Sequence, residues 1–273
     1  MKNLPKYLLR LSAHLALAVF STTLSMAALA TNDVEVDQKG LSIMQTLEQR
    51  DTGWRAASVD LQMILRNARG DESTRELTVN LLEVENDGDK SFTLFKSPKD
   101  IRNTAFLSYS HAVTADDQWI FMPAFNRVKR ISSANKSGPF MGSELAYEDI
   151  SSFELDKYSY RYLQDEVLNS IDCFVVELTP RYEYSGYSTI KYWVDKARYV
   201  PLKIEYLDKS ESLLKTQTFS DYRQYMTKYW RPESSVVTNH QTQRSTLLKW
   251  GEFDFSTDLK ESDFSKMNLS RRR

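Results

Sequence analysis

The chain has 273 residues, with 36 Lys and Arg against 37 Asp and Glu and a single cysteine. That balance excludes a broadly basic nucleic-acid binder, whose footprint is a large positive excess. Apolar and charged fractions of 41% and 27% exclude wholesale disorder, and only eight glycines and seven prolines exclude collagen-like or linker-dominated chains.

Residues 1–30 carry Lys2, Lys6 and Arg10 and no acid. An apolar stretch, Leu15-Ala16-Leu17-Ala18-Val19-Phe20, follows, and Ala28-Leu29-Ala30 forms an A-x-A cleavage site. This layout predicts a cleaved secretory signal peptide and an exported mature chain of residues 31–273 beginning at Thr31. The alternative is an uncleaved anchor, but Ser21, Thr22, Thr23 and Ser25 keep the apolar run short of the ~20 residues a span needs. Cleavage leaves 33 basic and 37 acidic residues, a net charge of −4. The only cysteine, Cys173, lies in Asp172-Cys173-Phe174-Val175-Val176 and reads as a small buried apolar residue. No Cys follows the cleavage site to carry a lipid anchor, and one Cys forbids an intramolecular disulfide.

Leu41, Met44 and Leu47 recur every three residues, which predicts a helix over 37–50, with Gly53 following its end. The period then changes to two. Val59, Leu61, Met63 and Leu65 alternate with Asp60, Gln62, Ile64 and Arg66, and Arg69-Gly70-Asp71 supplies a turn. Leu77, Val79 and Leu81 continue the alternation, and Asn86-Asp87-Gly88-Asp89 turns into Phe92-Thr93-Leu94-Phe95, a hairpin meander. Further strands are expected at 104–110, 117–122, 172–179, 188–195, 200–207, 213–222 and 234–249. Tyr158, Tyr160 and Tyr162 fall at period two and project from one strand face. They suit either a half-buried pleated surface or the wall of a cavity. With no linker between 54 and 260, one large curved antiparallel sheet with a few helices is the expected architecture. The tail Arg271-Arg272-Arg273 reads as a frayed end.

Catalytic chemistry finds little support. His111 and His240 lie far apart in sequence, and neither sits in a metal or triad motif. H-E-x-x-H, G-x-S-x-G, the Walker loop and C-x-x-C are all missing from the sequence. The acid pairs Asp116-Asp117 and Glu148-Asp149 read as solvated or paired with bases. The expectation is a protein that is not an enzyme and needs no cofactor or metal.

The most distinctive stretch runs from Phe95 to Ile150. It contains Pro98-x-Asp100-Ile101-Arg102-Asn103-Thr104-Ala105, then Trp119-Ile120-Phe121-Met122-Pro123-Ala124 and Arg127-Val128-Lys129-Arg130-Ile131-Ser132-Ser133. Phe140-Met141-Gly142-Ser143 and Tyr147-Glu148-Asp149 follow. In combination these runs resemble the LolA-like outer-membrane lipoprotein-sorting proteins, in particular a larger branch often encoded beside RND-type exporters. Asn103 stands where Gly is expected, and Asn tolerates positive φ better than most residues.

The resemblance implies an incomplete antiparallel β-barrel with a few covering helices and an apolar interior. It further implies a periplasmic carrier, expected as a monomer, that shields the acyl chains of a lipoprotein or other lipid on the way to the outer membrane. An inner-membrane RND-type exporter and an outer-membrane acceptor are the implied partners. The alternative is an accessory protein of such an exporter, acting through protein contacts without a lipid cargo of its own. Trp119, Phe121, Tyr158, Tyr160 and Tyr162 are the candidate cavity-lining residues. Arg127, Lys129, Arg130 and Lys136 place four positive charges in ten residues, a candidate contact for an anionic headgroup or partner, unless they are simply a solvated face. Gly138 and Gly142 bracket Pro139-Phe140-Met141, which either exposes two apolar side chains for docking or plugs the core.

Overall fold

The protein is described by a computed structural model covering residues 34–271. The expected signal peptide and cleavage before Thr31 lie outside these residues. The predicted helix is present as α1 (residues 34–50), and it enters the first strand through Trp54.

Thirteen strands follow. The first meander comprises β1 (Ala56–Arg66), β2 (Glu72–Leu82), β3 (Lys90–Ser97), β4 (Ala105–Tyr109), β5 (Asp117–Met122) and β6 (Arg127–Ile131). The second comprises β7 (Tyr158–Leu168), β8 (Ile171–Pro180), β9 (Tyr187–Asp195), β10 (Pro201–Asp208), β11 (Leu213–Tyr225), β12 (Tyr229–Asn239) and β13 (Arg244–Trp250). A short helix α2 (Lys266–Arg271) closes the described chain.

One antiparallel sheet contains all of them, in the order β6-β5-β4-β3-β2-β1-β13-β12-β11-β10-β9-β8-β7. Every neighbour is consecutive in sequence except β1 and β13, which join the two meanders through pairs such as Met63 with Leu248. The edge strands β6 and β7 are not paired with each other. The sheet is therefore the incomplete barrel expected.

Local chemistry sets the turns. Asn103 has φ 65° between β3 and β4, the left-handed conformation expected where the sequence departs from Gly. The single strand expected over 234–249 is instead a hairpin. Its turn contains neither Gly nor Pro. Asn239 Oδ1 accepts the N–H groups of Gln241 and Thr242, both at 3.0 Å, and this side-chain turn replaces the usual signal.

The two faces are covered differently. On the inner face, Leu61, Met63, Leu77, Phe95, Phe106 and Leu248 pack with Phe140 and Leu145. These last two come from the segment 132–157, which runs from edge β6 to edge β7 across the inner face. Towards β7 the same face carries Tyr160, Val176, Ile190, Ile204 and Tyr206, covered by Ile43 and Met44 of α1. Helix and edge strand meet closely at Gly40, where a Cβ would lie 2.7 Å from the Tyr162 backbone nitrogen. The outer face near β6 carries Phe92, Leu107, Trp119 and Phe121, covered by Phe264 and by Leu269 of α2. Cys173 is fully buried, and burial pushes its thiol pKa up, as expected of a structural cysteine.

Candidate functional site

The crossing segment fills one end of the inner face. Glu144 N–H donates to Thr246 Oγ1 at 2.9 Å, and Asn239 Nδ2 donates to Glu144 Oε2 at 2.8 Å. The Glu148 carboxylate accepts the Gly186 N–H at 2.8 Å and the hydroxyls of Tyr182 and Ser185, both at 2.9 Å. Asp149 pairs with the buried Lys215 and accepts the Tyr187 hydroxyl at 2.8 Å. Gln118 Nε2 ties the segment to β5 through the Tyr147 carbonyl, at 2.9 Å. Tyr147-Glu148-Asp149, one of the runs that carries the resemblance, is thus an anchor between this segment and strands β9 and β11.

The opposite end of the inner face is not filled. A cavity of about 1370 Å³ lies there between the end of α1, the β2–β3 turn and strands β9 to β12. This exceeds the roughly 300–1,000 Å³ usual for small-molecule pockets. Its apolar wall includes Leu47, Trp54, Leu81, Phe153, Tyr192, Ile204, Phe219 and Trp230. They are brought together by sheet curvature and by α1 rather than by any run of sequence.

Charged groups ring the cavity, and most are committed to holding its walls. Asp51, after α1, pairs with Arg231 of β12. Burial pushes the Asp51 carboxyl pKa up, against the opposing pull of Arg231. Arg50 stacks 4.2 Å from the Tyr199 ring centroid and donates to the Ala197 carbonyl at 2.9 Å. Arg198 Nε pairs with Asp195 at 2.6 Å. Glu83 accepts the N–H groups of Gly53 and Arg55, at 2.6 and 2.8 Å. Burial raises Asp89 to about 6 and Glu154 to about 7. Among the described residues, no group of three or more His, Cys, Asp or Glu is placed to hold a metal ion. No helix among them is long and apolar enough to cross a membrane.

The residues singled out from sequence are distributed otherwise. Trp119 and Phe121 do not line the cavity. They point to the outer face and pack under α2, because both faces of β5 are apolar and each finds its own cover. Tyr158, Tyr160 and Tyr162 belong to the inner-face side that α1 covers, but they too are outside the cavity wall. Tyr160 donates to the Leu155 carbonyl at 2.7 Å, Tyr158 stacks on Phe153, and Lys39 lies 3.5 Å from the Tyr162 ring centroid.

Phe140 is 1% exposed and sits in the core, and Met141 packs against the same cluster. Neither side chain is presented for docking; the loop plugs the core. Lys136 also departs from the expected exposed cluster. It is buried beside Asp116, which also accepts from Lys157, and burial lowers its pKa. Arg127, Lys129 and Arg130 are exposed along edge strand β6, with Arg130 paired to Asp117. Phe125, in the turn just before them, is 72% exposed.

A family model described as "Uncharacterized protein" matches residues 87–271. Among curated protein sequences there is no match. Three solved structures share the fold. A domain from Vibrio parahaemolyticus, named for outer membrane lipoprotein sorting, is 51% identical, with TM-score 0.85, over 86% of this chain and 100% of that one. A DUF1329 family protein from Desulfovibrio piger is 26% identical, with TM-score 0.82, over 86% and 99% of the two chains. A LolA superfamily protein from Nitrosomonas europaea is 21% identical, with TM-score 0.67, over 85% and 99%. With half its residues shared with the Vibrio domain across that domain's whole length, this chain belongs to the family of outer membrane lipoprotein-sorting domains, and its fold is LolA-like.

Proposed function

We propose that the protein is a periplasmic carrier that shields a lipid chain in the cavity beside α1 and acts by binding rather than by catalysis. The observation that carries this reading is the unfilled end of the inner face. A protein interior is ordinarily packed to crystal-like density. Here a half-open space of about 1370 Å³ is walled by Leu47, Leu81, Tyr192, Ile204 and Phe219. Each methylene removed from water is worth roughly 0.8 kcal/mol, so a chain of about fifteen gains on the order of 12 kcal/mol gross. A wall of this kind supplies that gain without nucleophile, base or metal.

The family's naming for lipoprotein sorting and the A-x-A site at Ala28-Leu29-Ala30 support the periplasmic location and travel towards the outer membrane. Arg127 and Lys129, beside exposed Phe125, offer an anionic membrane or partner a surface that needs no rearrangement of the core. An RND-type exporter as the donor rests on the resemblance of the Phe95–Ile150 run. Mass spectrometry of lipids co-purified with the periplasmic protein tests the reading. A stoichiometric acylated species, lost when the cavity is blocked, supports it. A protein recovered free of lipid that also fails to take up an apolar probe overturns it.

A further inference from the structure

Glu154 is 8% exposed and lines the cavity, yet among the described residues its carboxylate oxygens have no hydrogen-bond partner. A buried ionisable group without a partner is costly, and most such groups in folded proteins are paired. Four of the six other acids of the cavity are engaged, and the remaining two, Glu48 and Glu85, are more exposed than Glu154. Asp51 has Arg231, Glu83 has two backbone N–H groups, and Asp87 holds His111 at 2.9 Å. Asp89 accepts the Val84 N–H at 3.1 Å.

The bases are committed as well. Arg198 has Asp195, Arg50 has the Ala197 carbonyl, and Lys228 Nζ donates to the Thr52 carbonyl at 2.5 Å. Acidic residues of the cavity outnumber basic ones seven to four. An anionic head therefore meets bases already engaged and a net negative lining. A cationic head meets a free carboxylate. The rings of Phe153 and Tyr192 also line the cavity, with centroids 6.1 Å apart. Aromatic faces attract a cation through their quadrupole. Gly88 gives the Glu154 carboxylate its room: a Cβ there would lie 2.6 Å from Glu154 Oε1 and 2.5 Å from the Ser110 carbonyl carbon.

We propose that the Glu154 carboxylate, in a cavity also lined by Phe153 and Tyr192, is the recognition site for a protonated amine on the head of the cargo. The cargo is thus an amphiphile with an ammonium group and an apolar tail. This inference rests on the carrier reading and narrows its cargo by charge. A charge-assisted hydrogen bond to a buried carboxylate supplies affinity that a neutral head of the same chain length lacks.

The test uses the mature protein and three probes of one chain length, dodecylamine, dodecanol and dodecanoate, each displacing an apolar fluorescent reporter below its micellar concentration. At about pH 8 the amine is still protonated and the carboxylate is mostly ionised. The amine is expected to bind about tenfold tighter than the alcohol, and this ratio to fall towards one in Glu154→Gln. Thermal unfolding verifies that the variant is folded; the wild-type ratio stands without it. Equal affinity for amine and alcohol, tighter binding of dodecanoate, or a ratio that survives Glu154→Gln would each overturn the inference while leaving the carrier reading in place. Failure of all three probes to displace the reporter overturns both.

Discussion

The Lys215 ammonium and the Asp149 carboxylate form an ion pair between β11 and the crossing segment, with side chains only 4% and 3% exposed. Lys215 also donates to the Glu144 carbonyl at 3.1 Å and lies 4.9 Å from the Tyr206 ring centroid. Removing one partner strands the other as an uncompensated buried charge, which costs about 3–5 kcal/mol. Lys215→Met and Asp149→Leu should each lower stability by that order. The double variant should lose less than the two losses together. Chemical denaturation of the four proteins checks this.

Phe140 separates core from surface in the same segment. Its ring lies 5.1 Å from that of Phe106 and 5.5 Å from that of Tyr147. Phe140→Ala should cost roughly 3–5 kcal/mol, as aromatic truncations in cores do. Unchanged unfolding in this variant would return Phe140 to the surface.

Exposed charges on β6 should behave in the opposite way. Replacing Arg127, Lys129 and Arg130 with Gln should leave the unfolding midpoint nearly unchanged, because exposed charges contribute about 0–1 kcal/mol. Binding to anionic vesicles should weaken, and its dependence on ionic strength should flatten. Lys136 is excluded from this set because its ammonium is buried beside Asp116. Vesicle co-sedimentation across a salt series reads the outcome.

Blocking the cavity should separate binding from folding. Leu81 is half-buried, packs against the cluster of Trp54 and Phe253 and lines the cavity, so Leu81→Trp adds bulk to its wall. Reporter affinity should fall by about tenfold or more, while the unfolding midpoint moves less than it does for Phe140→Ala. Equilibrium fluorescence titration and thermal unfolding give the two numbers.

Glu154 should carry a pH signature. Burial raises its pKa from 4.5 to about 7, with Asp89, Glu48 and Asp116 adding to the rise and Lys157 opposing it. The native state therefore binds the Glu154 proton more tightly than the unfolded chain does. Its contribution to stability is full below the unfolded value and is lost as pH rises from 4.5 towards 7. Glu154→Gln removes that loss, so the midpoint of the variant relative to wild type should rise between about pH 5 and about pH 8. Amine binding should strengthen over the same interval as the carboxylate ionises. Differential scanning calorimetry and titration at both pH values check the two signs.

The alternation of Val59, Leu61 and Met63 made β1 legible in the sequence, and Asn103 marked the β3–β4 turn through a tolerance for positive φ. The hairpin at Asn239 was not legible, since its turn is closed by a side chain rather than by Gly or Pro. Trp119 and Phe121 were read as wall residues because β5 is apolar on both faces. Which face meets α1 and which meets α2 depends on long-range packing that periodicity does not contain. The cavity was hidden for the same reason. Leu47, Leu81, Ile204 and Phe219 are separated widely in sequence and become neighbours only when the sheet curves. Glu154 gave no signal either, because an acid beside an aromatic residue is ordinary until its burial is known.

The unpaired seam between β6 and β7 has a mechanical meaning. In a closed barrel, strand number and stagger fix the bore, and widening it would break a hydrogen-bonded ladder. No ladder crosses this seam. The gauge is set instead by the reach of residues 132–157 and by the grip of Glu148 and Asp149 on β9 and β11. Parting the two edges would cost no strand pairing, only the contacts of the crossing segment.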